Sequence, residues 1–343
     1  AVQAQLPDST CLIEYFYTDS LLYILTIESA QTGFHRRDLP TDFAAQVDRW
    51  RSYSQSDQMQ NPITFGEEGH QLYQILLGDL MAEENQSLII IPHDRLAYLP
   101  FELLTTKAPG NESVAFRDLP YLVQHHTIHY TFAAWSLLPR QTAQNSSKGF
   151  WAGFAPTYAG KTQGLLASRN GELASALAGA KAEVQSIAQL VNGQAFTGLE
   201  INKQRFLKEA EAYQILHLAL HAYTNDFSPL YSGLLFSNLG EADTLMAHEV
   251  YPLELQAELA ILSACNTGSG QIQKGEGVMS LAHAFYYAGC PSIAMSLWPV
   301  NDQATRDLME SFYQHLLNGL PKSEALQKAR LDYLDQHDLD HPY

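Results

Sequence analysis

Two short stretches carry the residue types that do nucleophilic chemistry. "LHLALHAYTN" (216–225) and "LAILSACNTG" (259–268) are both apolar runs that break into small and polar residues, one at His221 and the other at Cys265. Each residue falls just past the carboxyl end of a predicted strand, where open α/β sheets build their sites. If the strands are parallel neighbours, their axes lie about 4.8 Å apart and both side chains face one cleft. A cysteine nucleophile needs a nearby base or imidazolium that favours the thiolate, and His221 would serve. The small residues Ser263 and Ala264 allow a substrate backbone to approach. Asn266, Thr267 and Gly268 form a tight turn that presents the Cys265 N–H as an oxyanion donor, with the Ala222 N–H as the second. His217 is an alternative base four residues earlier, but it lies inside the strand, where a hydrogen-bonded core histidine is expected. The competing reading of Cys265 is a packed strand end, since cysteine is among the most buried residue types. Cys11 and Cys290 are expected to be inert, Cys290 through burial between Gly289 and Pro291.

Those two strands need a sheet and helices to hold them, and the chain supplies both. Its 343 residues, 46% hydrophobic, suffice for a buried core and suggest two domains or subdomains. After the strands around Thr18–Asp19–Ser20 come helical patterns at 41–53 and 68–81. A continuous apolar strand "QSLIIIPH" and a strand at 121–132 follow. The latter carries His125 and His129 on one face and His126 on the other, a pattern that fits a solvated or hydrogen-bonded strand face better than a metal site. The polar run "RQTAQNSSKG" marks a boundary, giving a first lobe at 1–140, a linker at 141–149 and a second lobe at 150–343. The second lobe alternates strands (150–155, 214–220, 258–263, 292–298) with helices (172–191, 202–211, 276–288, 302–318, 322–335). This alternation predicts an α/β fold with a mostly parallel sheet flanked by helices. "GSGQIQKGEG" (268–277) has four glycines in ten residues, reading as a mobile loop beside the thiol that could close over a bound chain; no phosphate-loop pattern is present.

Composition removes several classes of function. A formal charge of −17 with no Lys/Arg run argues against nucleic-acid contact. Three widely spaced cysteines suggest neither a disulfide framework nor a structural zinc site, and fit a reducing, cytoplasmic compartment. No apolar run approaches the ~20 residues that span a bilayer. No metal or organic cofactor is called for.

The stretches "ILHLALHA", "LAILSACNTGSG", "KGEGVMSLAHAFYYAG" and "SIAMSLWPVND", in this order, resemble the CHAT domain, a family related to the caspase, separase and gingipain type of cysteine peptidase. "LIIIPHDRLAYLPFELL" followed by "YLVQHHTIHY" is similar to the family's N-terminal portion, so the resemblance covers nearly the whole chain. It implies a caspase-like α/β fold with a non-catalytic caspase-like first lobe, and a dyad that maps onto His221 and Cys265. It also implies an upstream repeat or sensor region, or a separate activator protein. The start at Ala1 and the stop at Tyr343 fit a part of a longer protein. Two departures stand out: Ala222 replaces the glycine that follows the histidine in caspases, and Ser263 replaces the Asp that several basic-specific relatives carry two residues before the cysteine.

The expected function is a regulated cysteine endopeptidase that acts on a protein substrate through a thioester acyl-enzyme. The rival readings are a catalytically inactive caspase-like scaffold and a small-molecule thiol enzyme such as an acyltransferase. Ser263 and Asp302 are the candidate substrate-binding residues. The "SLWPVND" stretch is similar to one in separases whose Asp helps to form an arginine pocket, and Asp302 is the matching position. As Asn301 or Asp302 also reads as a helix N-cap, both roles stay open.

Overall fold

The computed structural model describes residues 2–54, 61–80, 86–110, 114–138, 149–158, 176–223, 228–236, 243–263, 272–273, 277–278, 281–296 and 302–337. The chain divides into two compact units: 1–140 with 272–277 and 320–343, and 141–271 with 278–319.

The first unit is built on a five-stranded mixed sheet. Its strands are β1 (Thr10–Tyr17), β2 (Leu21–Ile27), β3 (Thr32–Asp38), β4 (Ser87–Ile91) and β5 (Thr127–Tyr130), in the order β3-β2-β1-β4-β5. β1 and β2 form a hairpin, and β4 joins β1 in parallel. Period-two alternation turns Cys11, Ile13 and Tyr15 of β1 into one core with Leu22, Ile24, Leu88 and Ile90. Helices α1 (Phe43–Ser54) and α2 (Pro62–Leu76) cover that face. The α2 helix starts earlier than its apolar spacing suggests, because Asn61 caps it by accepting from the Ile63 N–H at 3.0 Å and Pro62 stands in its first turn. β3 was not expected: its sequence TGFHRRD is polar and its alternation weak, as an edge strand permits. The strand expected at 121–132 is shorter; a 3₁₀ turn occupies Leu122–Gln124, and β5 begins at Thr127. His126 is buried and bonds the Gln86 carbonyl, and no cluster of three metal-ligating side chains occurs among the described residues.

The second unit carries the expected parallel sheet. In chain order its elements are β6 (Gly149–Pro156), α3 (Ala176–Val191), β7 (Gln194–Gly198), α4 (Lys203–Glu209), β8 (Tyr213–Ala219), β9 (His221–Tyr223), β10 (Gly233–Phe236), β11 (Asp243–Met246), α5 (Ala247–Val250) and β12 (Leu259–Ser263). After a two-stranded pair, β13 (Ile272–Gln273) and β14 (Gly277–Val278), of which residues 272–277 group with the first unit, come α6 (Leu281–Tyr287), β15 (Ile293–Met295) and α7 (Asp302–Leu317). The five strands β15-β12-β8-β6-β7 are all parallel. One face buries Leu216, Leu218, Ala260 and Leu262 with Phe206 of α4 and Phe285 of α6. On the other, α3 and α7 pack, linked by a hydrogen bond between Ser186 and Glu310. Gly153 lets α3 come close, since a Cβ there would sit 2.8 Å from Val184 and closer still to Trp151.

The last helix, α8 (Lys322–Gln336), belongs with the first unit, whereas the sequence grouped it with 150–343. Gln327 accepts from the Thr127 hydroxyl and donates to the Val123 carbonyl at 2.7 Å, Arg330 pairs with the buried Glu102 at 3.1 Å, and Leu334 packs on the first unit's core. Local sequence shows a helix but not which core receives it. No described helix is long and apolar enough to cross a membrane.

Candidate active site

The candidate site lies at the carboxyl ends of β8 and β12. These central strands are parallel neighbours, and their register pairs Ala219 with Ser263. His221 follows Ala219 by two residues and Cys265 follows Ser263 by two. Cys265, the turn 266–268 and most of the 268–277 loop lie outside the described residues, as does the Asp302 side chain; the backbone of Asp302 opens α7.

β8 ends at Ala219, and after Leu220 the chain starts β9, the edge strand of a small antiparallel sheet ordered β11-β10-β9. Its register pairs His221 with Leu235 and Ala222 with Leu234. The apolar run predicts a single strand over 214–220 and gives no sign of this second sheet. Its strands are too short for their alternation to register.

His221 is half-buried, and its Nε2 is shielded from solvent with no hydrogen-bond partner among the described residues. Burial lowers its pKa below the ordinary histidine value, so the neutral imidazole dominates at neutral pH. Its backbone N–H donates to the Tyr158 hydroxyl at 3.2 Å, and the Tyr158 ring lies 5.1 Å from the imidazole. As the His221 N–H points toward β10, strand alternation turns the Ala222 N–H to the opposite, edge side of β9.

His217 has different surroundings. It is fully buried in β8, with Nε2 2.8 Å from Glu183 Oε1 and Nδ1 3.1 Å from the Tyr313 hydroxyl. Both ring nitrogens are thus occupied, one by the Tyr313 hydroxyl, whose pKa burial raises, and the other by the Glu183 carboxyl. Glu183, itself buried in α3, also accepts from the Ser263 hydroxyl at 3.0 Å. Ser263 therefore belongs to a buried polar network of Glu183, His217 and Tyr313. Sequence reasoning missed both Glu183 and Tyr158. A lone Glu in an alanine-rich helix signals nothing, and Tyr158 follows its strand in an unpatterned "PTYAG". Cys11 and Cys290 are buried, and burial beside Glu28 pushes the Cys11 thiol up to about 12.

A five-stranded parallel sheet with helices on both faces and a histidine past a central strand's carboxyl end define a caspase-like α/β protein. Residues 66–343 match the family model for the CHAT domain, and the chain belongs to that family. It is similar to Tetratricopeptide repeat protein 28 of Mus musculus, 25% identical over 289 residues, which cover 71% of this chain and 11% of the mouse protein. The Homo sapiens protein of the same name is 36% identical over 85 residues, 25% of this chain and 3% of the human one. The chain thus spans a small fraction of the relatives it matches.

Proposed function

We propose that this chain is the peptidase portion of a regulated cysteine endopeptidase, with Cys265 as nucleophile and His221 as general base and acid. The observation that carries the reading is the matched ends of β8 and β12: from the register pair Ala219–Ser263, two residues on each strand lead to His221 and to Cys265. Two residues reach at most about 7 Å, which keeps both groups at one end of the sheet.

In this mechanism neutral His221 takes the thiol proton, and Cys265 Sγ attacks the scissile carbonyl carbon. The oxyanion is held by the N–H groups of Cys265 and Ala222; for Ala222 the support is its N–H on the edge side of β9. Collapse expels the amine, which takes the proton from His221 and leaves a thioester. Water then attacks the thioester with His221 as base, releasing the acid and restoring the thiol. The chemistry calls for no metal or organic cofactor. The substrate is a protein, Ser263 and Asp302 flank its side-chain pocket, and the first unit is a non-catalytic caspase-like lobe. The protein works in the cytoplasm, and its activating signal comes from a repeat or sensor region or a separate activator. The names of the relatives support a repeat partner. Those names denote repeats rather than an activity, which favours a second reading, a catalytically inactive caspase-like interaction module.

One experiment separates the two. The protein is incubated with a cell proteome, and newly formed N-termini are sequenced beside a Cys265→Ala control and a peptidyl electrophile that reports on Cys265. New termini that vanish in Cys265→Ala, with probe adduct on Cys265, support the peptidase. Neither signal in the activated full-length protein leaves the interaction module.

A further inference from the structure

We propose that Tyr158 is the positioning residue of the His221 base, its hydroxyl inserted as a rung into the β9–β10 ladder. The inference rests on the peptidase reading of His221 and adds a residue to it. In an antiparallel hydrogen-bonded pair, opposite residues exchange N–H and C=O directly, at about 2.9 Å. The register places His221 opposite Leu235. There the Tyr158 hydroxyl accepts from the His221 N–H at 3.2 Å and donates to the Leu235 carbonyl at 2.5 Å. Those two bonds use its one hydrogen and one of its acceptor sites. The hydroxyl therefore links the His221 N–H to the Leu235 carbonyl across this rung and ties down the first residue of β9 just after the bend at Leu220.

The same side chain orients the imidazole. The Tyr158 ring lies 5.1 Å from the His221 ring at an interplanar angle of 44°, so backbone and ring are fixed from one residue. Tyr158 is in turn well anchored. It is 5% exposed and follows β6, a direct neighbour of β8, and the preceding Thr157 N–H donates to the Gly198 carbonyl at 3.0 Å. A base displaced by an ångström loses much of its effect on a thiol. A phenol wedge inside the fold holds that distance better than the short edge strand β9 could alone.

The test uses the full chain as wild type, Tyr158→Phe and His221→Ala. Two readouts are followed: iodoacetamide alkylation of Cys265 by peptide-resolved mass spectrometry across pH, and the His221 imidazole titration by NMR. Tyr158→Phe is expected to slow Cys265 alkylation near neutral pH by roughly ten- to hundredfold, to move the inflection toward that of His221→Ala, and to shift the His221 titration. A folded Tyr158→Phe protein with wild-type alkylation and an unmoved His221 titration overturns the proposal. If His221→Ala leaves the alkylation profile of wild type, the peptidase reading is what fails, and the NMR titration alone decides the role of Tyr158. Should Tyr158→Phe not fold, 3-fluorotyrosine at position 158 keeps the hydroxyl and its size while weakening it as an acceptor; a His221 titration that this leaves unchanged also overturns the proposal.

Discussion

Replacing His217 by alanine, four residues from the proposed base, should cost stability rather than chemistry. His217 is fully buried with both ring nitrogens bonded, to Glu183 at 2.8 Å and Tyr313 at 3.1 Å. The alanine leaves the buried Glu183 carboxyl and the Tyr313 hydroxyl each without its histidine partner. It also opens a ring-sized hole beside Trp151, whose ring centre is 5.8 Å away. Breaking such a buried pair from one side costs about 3–5 kcal/mol. At about 2–4 °C per kcal/mol for a unit of this size, the transition should drop by roughly 10 °C. His221→Ala, at a half-buried ring whose Nε2 has no partner among the described residues, should cost under about 1 kcal/mol. Its turnover should fall by at least about 10²-fold. Urea melts followed by tryptophan fluorescence, with Trp151 as a reporter next to the network, give the stabilities; a cleavage assay at a temperature where both variants are folded gives the chemistry. A His217→Ala protein that melts like wild type yet has lost turnover, beside an active His221→Ala, would reverse the two assignments.

Three further outcomes follow from other sites. Burial lowers the His283 pKa to about 4, below its unfolded value of about 6.5, so protonation favours the unfolded chain. The contribution is intact above about pH 6.5 and lost as pH falls toward 4, by up to about 3 kcal/mol; His283→Gln should flatten this part of the stability–pH curve, and an unchanged slope would count against the burial argument. Gly289 closes α6 at φ +114°, with the Cys290 N–H returning to the Phe285 carbonyl, and a Cβ there would lie 2.8 Å from the Leu255 carbonyl oxygen. Gly289→Ala should therefore destabilise by about 1–3 kcal/mol, and a chemical-denaturation midpoint equal to wild type would contradict it. Asp302→Ala should shift the preferred P1 residue from basic or polar toward apolar in a peptide library. Identical profiles with about 1 kcal/mol of lost stability would make Asp302 a helix cap only.

The elements that position the site could be read because their signals are strong. β12 is an apolar run that ends at Ser263, and β8 is one interrupted at Gln214 and His217. α7 has apolar residues at helical spacing, and α8 is rich in strong helix formers. His217 as a bonded core histidine followed from its place inside the strand. The rest was hidden for identifiable reasons. β7 and β9 to β11 have five residues or fewer, too short for a periodic pattern. β3 is a polar edge. The partners that fix the two histidines are distant in sequence: Glu183 is 34 residues from His217, and Tyr158 is 63 residues from His221. Hydrogen bonds of that kind depend on which strands become neighbours, and strand order is not written in local periodicity.

The return of α8 to the first unit has a consequence for biosynthesis. Most of the second unit is an insertion into the first, since the chain leaves the first unit near residue 140, returns to it only for 272–277, and comes back to stay at 320. A ribosome therefore finishes the second unit before it supplies the helix that completes the first. Until α8 emerges, Glu102 lacks Arg330, the Val123 carbonyl lacks Gln327, and the site for Leu334 on the core is uncovered. Domains generally fold as units during synthesis, the N-terminal one first. Here that order is inverted: the part made first is the last to close, and the proposed catalytic unit can be folded while the lobe that precedes it is still open to chaperones and proteases.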